Sequence, residues 1–254
     1  MIGGVDFSKY QLGVTATAIR QAISAQGPVV TVQAFRNDGP NEFCGQQLMR
    51  CREAGTEDLS IYVLLNWDRA DWPGFRQVEL ALEAAAPFRR ELLFVAIDIE
   101  TYRGWQVSDV AYRIPRVLEA AAAVRAAGLY PVAYTNKGMF ETVMGGTPQS
   151  WAQVLEALPE IWFATMDRVP DLGAAAKAAP WPASKIVGEQ YEAGSWGGFS
   201  FDQNVWRDDF IQARRAERDA RMRPPPVPPA PAPPPADQCA ELRAVIQRVK
   251  EAVA

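Results

Sequence analysis

The chain has 254 residues and a net charge of −4, with 26 Lys and Arg against 30 Asp and Glu and no histidine. This balance argues against a nucleic-acid binder that relies on phosphate contacts, and the one basic stretch, RRAERDARMR (214–223), is broken by acids. The lack of imidazole excludes Ser-His-Asp and Cys-His mechanisms, imidazole-ligated zinc and HExxH metalloproteases, and leaves acid–base chemistry to Asp, Glu, Lys, Tyr or Cys.

The chain alternates short β-rich runs with helical runs. IGGVDF (2–7) reads as a strand, VTATAIRQAISAQG (14–27) as a helix stopped by Gly27, and PVVTVQAF (28–35) as a buried strand. A helix over 41–55, a strand over 59–67, a helix over 73–86 with proline at its start and a strand over 91–100 follow. The run 107–128 predicts a helix bent or begun anew at Pro115. Residues 129–135, 160–167, 185–191 and 198–204 predict further strands, and a helix is expected from about Trp206. Repeated β-then-α units with apolar strands imply a parallel sheet covered by helices, and about eight strands suit a modified (β/α) TIM-like barrel. A doubly wound open sheet is the alternative. No Gly-rich phosphate loop follows any strand, and no metal or cofactor site is implied.

Composition changes at Arg223. RPPPVPPAPAPPPAD (223–237) predicts a polyproline II linker, with an SH3-type ligand as the lesser reading. In the short amphipathic segment 238–254, Cys239, Leu242, Ile246, Val249 and Val253 follow a coiled-coil-like a/d spacing, which predicts self-association or docking to a partner. The expected domains are therefore 1–222, 223–237 and 238–254. Cys44 and Cys51 lie seven apart in a predicted helix, about 10 Å along its axis, too far for a disulfide. They read as buried structural thiols. MIGGVDFSKYQ lacks the regions of a signal peptide, and no apolar run is long enough to span a bilayer. Any extracellular substrate is then expected to be reached by another route.

The chemistry concentrates at strand ends. FVAIDIE (94–100) runs an apolar strand into Asp98 and Glu100, which as i and i+2 share a face with α-carbons roughly 6.5 Å apart. In a barrel, that face is the interior and the strand end opens at the active-site mouth. Two acids that close cannot ionise independently, which suits a general acid beside an ionised neighbour. Asp6 ends the first strand and Asp202 the last, and a closed barrel makes those strands neighbours. Four carboxylates ringed by strand-end aromatics, Trp67, Tyr134, Trp162 and Tyr191, suit a carbohydrate site.

These segments resemble glycoside hydrolase family 25, the N-acetylmuramidase-type lysozymes, over roughly residues 2–210. GVDFSKYQ (4–11), LLFVAIDIE (92–100), YPVAYTN (130–136), EIWFATMD (160–167) and EQYEAG…GFSFDQNVW (189–206) are similar to successive motifs of that family, in order. The resemblance implies a modified α/β barrel that cleaves the β-1,4 bond between N-acetylmuramic acid and N-acetylglucosamine in bacterial peptidoglycan. It implies Glu100 as general acid/base and Asp98 as the ionised partner that orients the substrate's acetamido group. Asp6 and Asp202 would tune both, and Tyr134, Gln190 and Tyr191 would line the groove. Two segments depart from the pattern: LLNW (64–67) lacks the family's histidine, and QAFRND (33–38) replaces a K-A-T-E-G-like end. Both belong to the groove wall. A second reading keeps the barrel without catalysis, as a glycan-binding or structural module of a phage virion or tail anchored through its terminal helix. A phage virion or host cytoplasm is the expected location on either reading.

Overall fold

The structure is a computed structural model that describes residues 1–36, 38–69, 71–101, 113–145, 148–179 and 181–224, and residues 240, 241, 243–245, 247, 248 and 251. In chain order the elements are β1 (Ile2–Phe7), α1 (Ala16–Gln26), β2 (Val29–Arg36), β3 (Gly39–Pro40), α2 (Cys44–Ala54), β4 (Leu59–Leu64), α3 (Gly74–Ala84) and β5 (Val95–Asp98). There follow α4 (Arg113–Ala126), β6 (Pro131–Thr135), α5 (Lys137–Met144), α6 (Pro148–Ala157), β7 (Ile161–Ala164), α7 (Leu172–Ala178), β8 (Ile186–Trp196), β9 (Phe199–Trp206) and α8 (Asp208–Met222).

The strands lie in the order β1-β9-β8-β7-β6-β5-β4-β2, and pairing of β1 with β2 closes them into an eight-stranded barrel. The two-residue β3 hangs on β2. Neighbours from β1 through β2, β4, β5, β6 and β7 to β8 are parallel, whereas β9 runs antiparallel to both β8 and β1. The cause is local. Gly197 and Gly198, at φ +57° and +82°, form the two-residue turn between paired Trp196 and Phe199. Two left-handed central residues match the twist of a hairpin, and so short a link cannot make a parallel crossover.

Strand alternation creates two apolar layers. Val30, Val32, Ile61, Val63, Val95 and Ile97 face outward onto the helices, while Phe94, Ala96, Val132, Trp162 and Trp206 fill the barrel. Phe210 and Ile211 of α8 join the inner layer and plug the end where the parallel strands begin. Phe210 lies with its ring centroid 5.7 Å from Phe94 and stacks on Trp206 at 6.1 Å. Gly188 is paired with Trp206, and a Cβ there would stand 2.5 Å from the indole, so only glycine lets that ring fill the barrel. Outside, Asp58 is buried at the head of β4 and paired with Arg215 and Arg218, which ties α8 to the barrel base.

Some boundaries differ from the sequence expectation. Trp206 ends β9 rather than opening the last helix, and β8 continues to Trp196. Pro115 lies within α4, as the third residue of its described part. Residues 107–112 of the predicted helix lie outside the described residues. The short helices α5, α6 and α7 were not expected. The side chains of Asn136 and Asp171 cap α5 and α7 by accepting from Met139 N and Gly173 N. Cys44 and Cys51 are both free and buried on α2.

Met1–Met222 is one compact unit and Arg223–Ala254 another. In the second, residues 240, 241, 243–245, 247, 248 and 251 are helical, and Gln247 Nε2 donates to Glu251 Oε1 at 2.9 Å. Residues 225–237 and the a/d positions Cys239, Leu242, Ile246, Val249 and Val253 lie outside the described residues. No helix among the described residues is long and apolar enough to cross a membrane.

Candidate active site

The end of the barrel opposite α8 opens into a cavity of about 230 Å³, lined by all four expected carboxylates, Asp6, Asp98, Glu100 and Asp202, and by Tyr134, Trp162 and Gln190. Asp98 and Glu100 reach it by strand parity. Their main chain is fixed on both sides: Leu65 N donates to Asp98 O at 3.3 Å, Ile99 N to Tyr134 O at 2.9 Å, and the Thr135 hydroxyl to Ile99 O at 2.9 Å. Asp6 and Asp202 are directly paired across β1 and β9. Asp202 is the fourth of eight residues in β9 and does not end a strand. It reaches the mouth because β9 descends from that mouth.

A chain of donors converges on Asp6. Tyr134 Oη donates to Gln190 Oε1 at 2.6 Å, and Gln190 Nε2 donates to Asp6 Oδ2 at 3.0 Å. From the other side Trp162 Nε1 donates to Asn204 Oδ1 at 3.0 Å, and Asn204 Nδ2 donates to the same Asp6 oxygen at 2.8 Å. Burial and the charge of Asp202 nonetheless hold Asp6 well above the usual carboxylate range, with the Asn204 and Gln190 bonds opposing. Burial, then Glu100 and Asp6, push Asp98 well up as well. Its Oδ1 has no hydrogen-bond partner among the described residues. Burial and Asp202 raise Glu100 to about 7, and burial raises Asp202 to about 6. The site thus holds protons at neutral pH. The sequence expectation of an ionised Asp98 meets a pocket that favours its protonated form, because burial and then the neighbouring Glu100 and Asp6 penalise its charge.

Two expected rim aromatics lie elsewhere. Trp67 is 1% exposed in the outer layer, beyond the end of β4, and its Nε1 donates to the main-chain oxygen of Glu100 at 2.8 Å. It holds Glu100 from behind rather than touching the cavity. Tyr191 is the extra residue of a bulge, since Gln190 pairs with Asn204 while Glu192 pairs with Gln203. As the residue after cavity-facing Gln190 it points out of the barrel, where its hydroxyl meets Gln26 at 2.8 Å and Gln203 at 3.2 Å. Trp162 lines the cavity floor but is itself 1% exposed. Five wall residues were not singled out from the sequence as site residues: Tyr10, Gln33, Arg36, Tyr62 and Leu64. The parity of Tyr62 and Leu64 in LSIYVL was legible, whereas that of Arg36 depends on a bulge in β2, where Gln33 pairs with Tyr62 and Phe35 with Val63, leaving Ala34 as the extra residue.

The fold has solved counterparts. It is similar to a muramidase from Acremonium alcalophilum, with a TM-score of 0.63, 14% identity, and cover of 87% of this chain and 100% of that one. It is similar to a family GH25 lysozyme from Aspergillus fumigatus, with a TM-score of 0.64, 16% identity, and cover of 84% and 97%. This is the glycoside hydrolase family 25 type of barrel. The catalytic domain of endolysin ply40 from bacteriophage P40 of Listeria monocytogenes shares it, with a TM-score of 0.58, 16% identity, and cover of 85% and 97%. No family model and no curated protein matches the chain by sequence. In the barrel seen here, the carboxylates, Tyr134 and Gln190 stand at the open mouth and α8 closes the other end.

Proposed function

We propose that this protein is a peptidoglycan hydrolase of the muramidase type, cleaving the β-1,4 bond between N-acetylmuramic acid and N-acetylglucosamine. One observation carries the reading: Glu100 stands in the cavity with its pKa raised to about 7, two residues from Asp98 on the same strand face. A carboxyl that keeps its proton near neutrality can deliver it to a glycosidic oxygen. Asp98 Oδ1 is the acceptor for an acetamido N–H of the substrate. That bond would favour the ionised carboxylate, which then orients the acetamido oxygen toward the anomeric carbon as internal nucleophile. Glu100, deprotonated after the first step, then accepts a proton from the attacking water. Two inversions at one carbon give net retention. The solved proteins with this fold that are named muramidase, lysozyme and endolysin support the substrate class.

The test is reducing-sugar release from purified peptidoglycan by the wild type and by Glu100→Gln. A loss of roughly 10²- to 10⁴-fold in the variant is expected for removal of a general acid. Equal release by both would refute the assignment of Glu100. No release by the wild type on any wall would leave the non-cutting glycan-binding module.

For residues 238–254 we infer attachment, to a second copy or to a virion or tail protein, supported by their a/d spacing. Mass in solution with and without residues 224–254 tests it, and a monomer in both cases removes self-association. A phage setting, with delivery to the wall from the virion or from the host cytoplasm, belongs to this same reading.

A further inference from the structure

Glu189 is a buried carboxylate behind the cavity wall. It sits on β8 beside Gln190, and successive residues of a strand face opposite ways, so Gln190 lines the cavity while Glu189 points out of the barrel. Glu189 is 0% exposed, and a charge at that depth is costly unless its oxygens are hydrogen-bonded. Both are: Oε1 accepts from the Thr165 hydroxyl and Oε2 from Asp171 N, each at 2.9 Å. These contacts bracket the loop that leaves β7 at the mouth. Alongside them, Thr165 N and Met166 N donate to Gln190 O at 3.0 and 3.3 Å, and Arg168 N donates to Tyr191 O at 2.9 Å. The loop so fastened holds Met166 and Arg168 at φ +54° and +67°, a left-handed backbone that residues other than glycine adopt where their surroundings impose it.

The strained loop borders a hollow of about 410 Å³, whose lining includes Asn136, Ala164, Thr165, Met166 and Asp167. The hollow continues the cavity outward. Ala164 pairs with cavity-lining Gln190 and lies two residues beyond Trp162, on the same strand face. Asn136 lies two residues beyond Tyr134, and its backbone is still extended. Met166 is half-exposed at this place. Apolar Ala164 and Met166 beside polar Asn136, Thr165 and Asp167 match a pyranose, whose C–H face is apolar and whose edge carries hydroxyl and amide groups.

We propose that this hollow is a second sugar subsite and that Glu189 is the positioning residue of its wall, clamping the loop 165–171. This rests on the reading of the cavity as a glycan-cleaving site. The ligand is the sugar of the glycan chain that adjoins the pair held at the carboxylates. The clamp works through hydrogen bonds rather than through charge. A glutamine at 189 keeps both, accepting from Asp171 N with its oxygen and donating to the Thr165 hydroxyl with its amide. A glycine at 166 relaxes the left-handed backbone and removes the side-chain contact.

The experiment is calorimetric binding of peptide-free peptidoglycan oligomers of two, four and six sugars to the full chain carrying Glu100→Gln, which limits cleavage. Affinity should rise at least about tenfold from the shortest probe to the longest. Adding Glu189→Ala should abolish that gain and leave the two-sugar affinity unchanged, whereas adding Glu189→Gln should keep the gain. Adding Met166→Gly should abolish it without straining the fold. An undiminished gain with Met166→Gly overturns the subsite, even if the Ala variant does not fold. An undiminished gain with Glu189→Ala overturns the role of Glu189, and no gain with length in the parent overturns both. Reducing-sugar release by the wild type without such a gain defeats the subsite alone, whereas the gain without release defeats the proposed hydrolysis alone.

Discussion

Asp6 and Asp202 face each other as a directly paired couple on antiparallel β1 and β9. Like-charged residues at such a position destabilise a sheet. Here the strain is moderated because both acids hold protons more tightly than usual, Asp202 to about 6. The pair couples the first strand to the last and also charges the surroundings of Glu100, which Asp202 raises after burial.

The stability of the barrel should therefore fall as pH rises through this range. The folded state binds more protons than the unfolded chain between about 4, where ordinary carboxylates titrate, and about 7, where folded Glu100 does. Stability is then fully present below that window and is lost as pH rises through it, by a few kcal/mol on the order-of-magnitude scale of such linkage. Urea midpoints should be higher near pH 5 than near pH 8, and the difference should shrink in Glu100→Gln. A midpoint that rises over this interval would contradict the raised acids.

Asp202→Asn should shift the activity profile. Removing that charge lets Glu100 lose its proton at lower pH, so the alkaline limb of kcat/KM, expected near pH 7 in the wild type, moves toward acid. Rates on purified peptidoglycan from about pH 4 to 9 measure it. An unmoved limb would show that Glu100 does not sense Asp202.

Trp67→Phe should slow turnover without touching the cavity. The exchange keeps an aromatic ring in the outer layer and deletes the donor that fixes Glu100 O. Turnover should drop roughly tenfold, because small misplacement of a catalytic group is expensive, with KM little changed. Stability should fall by about 0.5–1.5 kcal/mol for the lost hydrogen bond to a part-buried carbonyl. A matching rise in KM with unaltered kcat would instead make Trp67 a substrate contact.

Gly188→Ala should destabilise the barrel by about 1–3 kcal/mol, the usual range for overpacking. The added methyl would stand 2.5 Å from Trp206, which is packed on Phe94, Trp162 and Phe210 with no space to retreat. Thermal or urea denaturation reads the change. An unchanged midpoint would mean that the indole can shift.

Much of this molecule was legible in its order of residues. Apolar runs separated by helical periods specify a helix-covered parallel sheet, because buried parallel strands need apolar residues on both faces, and the pairing of β1 with β2 decides that it closes. The parity of FVAIDIE places Asp98 and Glu100 on one side, because alternate residues of a strand must share a face. Tertiary structure alone decided the exceptions to that parity and the direction of the last strand. A bulge at Ala34 inserts one residue in β2 and sends Arg36 into the cavity. The extra residue is defined only against a partner strand, and no single strand reveals it. Asp202 joins Asp6 because the Gly197–Gly198 turn sends β9 back down from the mouth. The raised pKa values followed from burial and from four charges gathered out of segments nearly two hundred residues apart, a proximity that chain closure creates and sequence spacing does not contain.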